Sequence, residues 1–542
     1  MSARVAPAPW RGVRRPAPAA RRLETARRRL ALCMMLFLAA LGAISLRLAD
    51  LAILSLGGSR ERVVADVAPR ADLVDRRGVT LAGNYKAYAL VVRPHQLVKS
   101  PAELAPRIAA LTGQDSAEVL AQLTHPSGFR YIARRVRPAV AEAVANLGDP
   151  GIELHREPDR LYPNLMLAAH MVGYANVDGE GQAGVERALD HGLAAENGGA
   201  VALSIDARVQ SALEEALADG MARHQAIGAS GVILDVHSGE VLAMASLPSF
   251  NPNRVADFDP AARFNRATQG VYELGSTFKA FTIAMALETG ASTPKELHDA
   301  RTPIRIARFT INDSKPRRAP VTLGEVLAYS SNVATARLAE RMGPKVQRDY
   351  FKLLGLLDPL PIELPERGRP LFPAEPSRVS MLTMSYGHGI AVTPVHLATA
   401  WAALVNGGVW RPATLIRQAP GAVRPGRRVF SEATSRTMNA MLRLTVQQGT
   451  GRKADEPGYR IGGKTGTAEK PEAGGYNRKA LITTFAAAFP MDAPRYVVVA
   501  TLDEPRPTPE TFGQASAAWN AAPVVREVVA RAAPILGVAP EP

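Results

Sequence analysis

Three short runs carry residue types that together can transfer an acyl group: Ser276-Thr277-Phe278-Lys279, then Ser330-Ser331-Asn332, then Lys464-Thr465-Gly466-Thr467. A serine hydroxyl is a poor nucleophile until a neighbouring base takes its proton. Residues three apart on a helix share a face, so Lys279 can reach the Ser276 hydroxyl. To accept a proton, Lys279 must be neutral. Bringing a lysine from about 10.4 to near 7 costs about 4.6 kcal/mol, at about 1.36 kcal/mol per unit. Full burial alone can shift a lysine by about 3–5 units, and a second cation such as Lys464 adds to the effect. Phe278, Phe281, Ile283 and Leu287 supply apolar neighbours for that burial. In the first turn of a helix, Ser276 also keeps a free backbone N–H that can face a developing oxyanion.

Each run alone is a weak signal, and the chain contains its own controls. Ser292 and Lys295 repeat the first spacing, but they follow Gly290 and flank Pro294, which makes a loop. Ser249 and Asn251 repeat the second in a proline-bounded turn. Lys-Thr-Gly occurs once. The structural alternative for Lys279 and Lys464 is a pair of surface lysines. Against it, the chain holds 11 lysines and 54 arginines, so it uses arginine where charge suffices. Lysine at both motif positions fits a need for an amine that can lose its proton, which a guanidinium cannot meet.

The elements around these runs predict an α+β fold. Ser276 opens a helix running to about Thr289 and stopped at Gly290. Residues 231–236 and 240–245 read as a hairpin turning at His237-Ser238-Gly239. Residues 462–468, 482–489 and 496–502 read as three late strands, with mainly helices and loops from 250 to 450. Strands at both ends with helices inserted between them predict one antiparallel sheet closed by its first and last segments. Upstream, Tyr88–Val92 is strand-like, and 102–111 and 116–123 have helical spacing on either side of Gly113. The expected organisation is a basic tail over 1–29, a membrane anchor over 30–50, a mixed pedestal domain over 51–225 and a catalytic domain over 226–542.

Leu30 to Leu46 is an uncharged run of seventeen residues, about 26 Å as a helix, and the apolar character resumes after Arg47. Nine arginines precede it with one acid, Glu24, which predicts a cytoplasmic N-terminus. A cleaved signal peptide is the alternative, but Ala40-Leu41-Gly42 lies inside the apolar run rather than beyond it. The net charge of +15 is concentrated in that first segment, so the remainder has an ordinary surface and nucleic-acid binding is excluded as a main function. The single Cys33 allows no intrachain disulfide and no cysteine zinc site, and the ten histidines form no HExxH pattern. No metal or other cofactor is expected.

The three runs in this order are similar to those of β-lactamases and penicillin-binding proteins. Over roughly residues 30–505 the chain resembles the class B penicillin-binding proteins, and among them the septal peptidoglycan D,D-transpeptidases. Arg70 to Gly78, Arg160 to Pro163, His170, Gly173, Val177 to Glu186, Leu203 to Asp206, Gln210, Ser385 to Gly389 and Gly449 to Gly451 carry the likeness. Leu274 departs from it, standing where many relatives have proline. The resemblance implies a transpeptidase domain of the β-lactamase-like type on a dimerisation-like pedestal, cross-linking peptidoglycan stem peptides and acylated by β-lactams. It implies Ser276 as nucleophile, Lys279 as its base, and Ser330 and Asn332 as proton relay and amide holder. Lys464, Thr465, Gly466 and Thr467 would bind the substrate carboxylate, with the N–H groups of Ser276 and Thr467 as oxyanion hole. It also implies lipid-linked precursor strands, a SEDS-family glycan polymerase and divisome proteins as partners, and a single-pass inner-membrane protein with a periplasmic catalytic domain. For Arg70, Arg160 and Glu186 a buried ion network is the expectation, and for His388 a structural role. Two alternatives stand beside this: an elongation-type sister enzyme, and a non-catalytic β-lactam sensor or scaffold.

Overall fold

The computed structural model describes residues 18–54, 70–194, 199–306, 309–419, 422, 424–472 and 475–541. The chain divides into two units, residues 1–66 and 67–542. Among the described residues, the first holds one helix, α1 (Pro18–Leu54). The composition of residues 1–29 reads as a disordered tail, and here the structure corrects it: helix already begins at Pro18, while 1–17 lie outside the described residues. Alanine, leucine and arginine are strong helix formers, and proline is tolerated in a first turn. Arg27–Leu46 is long and apolar enough to cross a membrane, and none of it is buried against protein, unlike the core helix of a soluble domain.

The second unit begins with a mixed layer: β1 (Thr80–Val92), α2 (Pro101–Thr112), α3 (Ser116–Leu123), β2 (Arg130–Val136) and β3 (Ile152–Leu161). Strand β1 pairs antiparallel with both β2 and β3. Gly113 ends α2 in the left-handed conformation, and the Asp115 carboxylate caps α3 by accepting from the Ala117 and Glu118 N–H groups. The helices bury Leu104, Ile108 and Val119 against Leu90, Val92 and Ile132 of the strands.

Below this layer lies a buried ion network. Glu186, 0% exposed, accepts from Arg70 Nε at 3.0 Å and from Arg160 Nε at 2.7 Å, and Tyr162 donates to it at 3.3 Å. Arg70 also reaches Asp190 at 2.7 Å and the Gly179 carbonyl at 2.6 Å. One carboxylate thus joins segments more than a hundred residues apart in sequence, as expected for these three residues.

Next come α4 (Ala207–Arg223), β4 (Gly228–Asp235), β5 (Val241–Leu247), α5 (Lys279–Glu288), α6 (Leu323–Tyr329), α7 (Asn332–Leu353), α8 (Pro394–Val405), α9 (Glu432–Gln448), β6 (Gly462–Glu472), β7 (Gly475–Phe489), β8 (Tyr496–Asp503) and α10 (Ala521–Ile535). The sheet order is β6-β7-β8-β4-β5, every pair antiparallel. The late strand β8 pairs with the early strand β4 (Val499 opposite Val232), which closes the sheet as the strand distribution predicts. Side chains alternate faces along a strand. Val498 and Ala500 share a core with Leu213 and Leu217 of α4 and Val525 and Val528 of α10, while Val497 and Val499 share the opposite core with Trp401 of α8 and Phe281 of α5. With both faces covered, β8 is buried along its whole length, and its first five residues, Tyr496 to Ala500, form a continuous apolar run.

Candidate active site

Helix α5 is buried almost all round, with Lys279 at its first position. The sequence predicts helix from Ser276 onward. The structure instead forms a 3₁₀ turn over Gly275–Phe278 and becomes α-helical at Lys279. Backbone crowding explains the tighter turn. Gly275 has φ +54°, and a Cβ there would lie 2.7 Å from the Thr467 carbonyl oxygen; a Cβ on Gly466 would lie 2.1 Å from the Leu274 carbonyl. Only glycine allows the turn and β6 to approach backbone to backbone. That approach sets Ser276, half-buried, beside the exposed Thr467.

Lys279 and Lys464 are both 0% exposed. The shared helix face predicts a Lys279–Ser276 hydrogen bond, and the structure places the amine elsewhere. Lys279 Nζ donates to the Ser330 carbonyl at 2.6 Å and to its hydroxyl at 3.0 Å. Ser330 sits between α6 and α7 in the left-handed region, φ +63°, uncommon for a residue with a side chain. This conformation turns both of its oxygens toward the lysine. Burial lowers the Lys279 pKa to about 7, against the opposing pull of Asp313. Burial first, and then repulsion from Lys279, push Lys464 well below the ordinary lysine range. Desolvation, rather than the second cation, is therefore what neutralises Lys279.

Lys464 Nζ donates to the carbonyl and hydroxyl of Thr465 at 2.9 and 3.1 Å, and the Thr465 hydroxyl donates to Thr450 Oγ1 at 2.9 Å. Thr450 is fixed in turn by its N–H on the Ala328 carbonyl, two residues before Ser330. Asn332 opens α7, and its side-chain amide donates to the Asn312 carbonyl at 3.1 Å. Asp313 accepts from the Ser331 hydroxyl at 2.6 Å and from the Asn332 and Val333 N–H groups at 2.6 and 3.0 Å, a carboxylate on the first turn of a helix. Ser276, Lys279, Ser330, Asn332, Lys464, Thr465, Gly466 and Thr467 thus meet at one place, built by a turn, an inter-helix corner and an edge strand.

Asp313 and Thr450 belong to the same cluster, yet nothing in their own spacing picks them out. Thr450 had a faint signal, as the middle of Gly449-Thr450-Gly451; Asp313 had none. The repeated motifs stay apart from the cluster: the Ser292 hydroxyl lies 2.9 Å from His298 Nε2, and that of Ser249 donates to the Met166 carbonyl. Chemically, the arrangement offers a half-buried hydroxyl, a dry amine whose pKa is brought down to about 7, a second hydroxyl bonded to that amine, and backbone donors on two facing segments. These are the parts of a serine acyl-transfer centre.

Comparison with known proteins agrees. The model of the penicillin-binding protein transpeptidase domain matches residues 229–530, and that of the penicillin-binding protein dimerisation domain matches 65–232. The chain is 42% identical over 482 residues to the probable peptidoglycan D,D-transpeptidase FtsI of Caulobacter vibrioides, covering 86% of this chain and 82% of that one. To the peptidoglycan D,D-transpeptidase FtsI of Escherichia coli K12 it is 34% identical over 410 residues, covering 70% and 69%. Among solved structures, penicillin binding protein 3 of Mycobacterium tuberculosis complexed with ampicillin matches with a TM-score of 0.70 and 27% identity, covering 88% of this chain and 97% of that one.

Proposed function

Since the chain belongs to the penicillin-binding transpeptidases, as an FtsI-type class B member, we propose that it cross-links peptidoglycan stem peptides by a Ser276 acyl-enzyme during septal wall synthesis. It is a peptidoglycan D,D-transpeptidase, and β-lactams are its acylating inhibitors. In this reading Ser276 Oγ attacks the carbonyl of the penultimate residue of a D-Ala-D-Ala terminus, and neutral Lys279 takes the hydroxyl proton. The Ser330 hydroxyl, bonded to Lys279, passes a proton to the leaving amine. Lys464, Thr465 and Thr467 hold the terminal carboxylate, whose negative charge draws a proton back onto Lys464. Gly466 lets β6 lie close to the turn, so that the N–H groups of Ser276 and Thr467 face the oxyanion. Asn332 holds the substrate amide. The acceptor stem's amine then attacks the ester, and Ser276 recovers its proton.

The observation that carries the assignment is the fully buried Lys279 amine, bonded to Ser330 one helical turn from Ser276. Fluorescent penicillin labelling of the detergent-extracted full chain, followed by peptide mapping, tests it. The adduct is expected on Ser276, and an adduct on Ser292 or any other serine overturns the assignment.

The N-terminal apolar helix is compatible with a single-pass anchor. We place its arginine-rich start in the cytoplasm, the catalytic unit in the periplasm, and a SEDS-family polymerase with divisome proteins beside it, at lipid-linked precursor strands. Depletion should then give smooth filaments that lengthen without constricting. Rounded, swollen cells would assign the chain to elongation instead.

A further inference from the structure

Outside the acyl-transfer cluster, two side chains and a backbone N–H from two separate segments converge on one carboxylate. Glu273 lies three residues before Ser276. It accepts from the Gly389 N–H at 2.8 Å and from the Tyr476 hydroxyl at 2.9 Å, and His388 Nδ1 lies 2.9 Å from its other oxygen. The His388 and Tyr476 rings face each other with centroids 4.5 Å apart. The segment that bears His388 is itself fixed to α5, where the Thr282 hydroxyl donates to the Ser385 carbonyl at 2.7 Å.

What needs fixing here is the ribbon formed by β6 and β7. Strand β8 pairs with β7 only from Ile482 onward, so residues 475–481 have no strand but β6 beside them. The β6–β7 register shifts between Glu469 and Lys470, at the base of that projecting part. A two-stranded ribbon is marginal on its own in water. Lys470 holds one side of it, through Asp503 at 2.9 Å and Glu504 at 2.7 Å. Tyr476 holds the other, through Glu273. The same ribbon carries Lys464, Thr465 and Thr467 on its β6 stem.

We propose that Glu273, His388 and Tyr476 are positioning residues for acyl transfer: an ionic tie that fastens the β6–β7 ribbon to the nucleophile turn and keeps the Lys464–Thr467 segment at working distance from Ser276. The inference rests on Ser276 being the nucleophile. Charged His388 pairs with the Glu273 carboxylate while its ring lies against that of Tyr476, so it draws the turn segment and the ribbon together. The ionisable groups facing His388 are Glu273 on the turn segment, Glu469 on β6 and Tyr476 on β7. The Glu273 carboxylate 2.9 Å away, with the charge of Glu469 beside it, raises the His388 pKa above its ordinary value, although burial opposes it. The charged form, and with it the ion-pair part of the tie, is therefore present at low pH and lost as pH rises through that raised pKa, while the Tyr476–Glu273 hydrogen bond remains.

Two measurements on the detergent-solubilised full chain test this. Amide hydrogen exchange, corrected for intrinsic rates, reads the tie directly. Protection of residues 475–481 should fall about twofold to fivefold as His388 deprotonates, the range expected for losing a part-exposed ion pair. Residues 482–489 should not change. In His388→Phe, which keeps a ring against Tyr476, protection should be low at every pH; Tyr476→Phe should lower it while leaving part of the pH dependence. The second measurement is the pH profile of acylation by a small β-lactam. Wild type should lose rate on the alkaline side, and His388→Phe should lose that limb while keeping the acid limb set by Lys279. Exchange that does not respond to pH overturns the tie. A His388→Phe profile that is merely scaled down at every pH overturns its role in positioning. A wild type that takes up no β-lactam at all defeats the functional reading instead, and the exchange experiment still reads the tie.

Discussion

Lys279→Arg is expected to cut the acylation rate constant at least about a hundredfold, close to the loss in Lys279→Ala, although arginine keeps the positive charge. General-base assistance typically accounts for about 10²–10⁴ in rate. A guanidinium, with a pKa above about 12, cannot take the Ser276 proton at neutral pH. The 0% exposure of Lys279 is what makes the difference visible, because burial brings its amine to about 7 and leaves a large neutral fraction at neutral pH. The acid side of the profile should therefore be half-titrated near that value and fall about tenfold per unit well below it. The linkage has a definite sign. A lysine whose folded pKa lies below its unfolded one binds more protons when unfolded, so between about 7 and 10.5 its contribution to stability rises with pH. At Lys464 the assigned role is charge, so Lys464→Arg should be milder than Lys464→Ala. Stopped-flow acylation of the four variants, with melting temperatures taken alongside, decides the matter. A Lys279→Arg enzyme within about tenfold of wild type would reduce the lysine to a positive charge and move the base elsewhere.

The second large effect is on stability. Glu186→Leu should destabilise the second unit by about 3–5 kcal/mol, because removing one partner leaves buried charges uncompensated. Here the guanidiniums of Arg70 and Arg160 share one carboxylate with no solvent access, and only Arg70 has a second close carboxylate, Asp190 at 2.7 Å. Arg160 has little to fall back on, since its Nη2 already lacks a hydrogen-bond partner. Denaturant unfolding of Glu186→Leu beside Glu186→Gln separates charge from shape. The amide keeps an acceptor and should recover part of the loss. Near-equal stability of wild type and Glu186→Leu would show that the network's ionic character contributes nothing.

Which parts of this molecule the sequence discloses follows from the range of the interactions involved. The β4–β5 hairpin is local: His237-Ser238-Gly239 turns two apolar runs, and the strands form where the pattern puts them. The sheet order is non-local, yet legible, because strands cluster at both ends of an otherwise helical stretch. Ser276, Lys279 and Lys464 stand out through helical spacing and the scarcity of lysine. Asp313 does not, because its part in the cluster exists only once α7 places Ser331, Asn332 and Val333 around it. The partner of Lys279 is hidden for a similar reason. Spacing points to Ser276, but the left-handed turn at Ser330 supplies two acceptors that no helical periodicity encodes. The tail over 1–29 misleads in the opposite direction. Its prolines and arginines suggest disorder, while the alanines and leucine after Pro18 suffice for helix.

The pairing of β8 with β4 has a consequence for biogenesis. Strand β4 ends at Asp235 and its partner begins at Tyr496, so the middle of the sheet waits for some 260 residues to be made. At about 5–20 residues per second, that wait lasts roughly 13 to 52 s. Throughout it, a largely apolar strand exposes an unpaired edge to the rest of the growing chain. A chaperone that shields β-edges should therefore be needed before residue 496 appears and dispensable afterwards. Nascent chains stalled short of β8 should be the aggregating species.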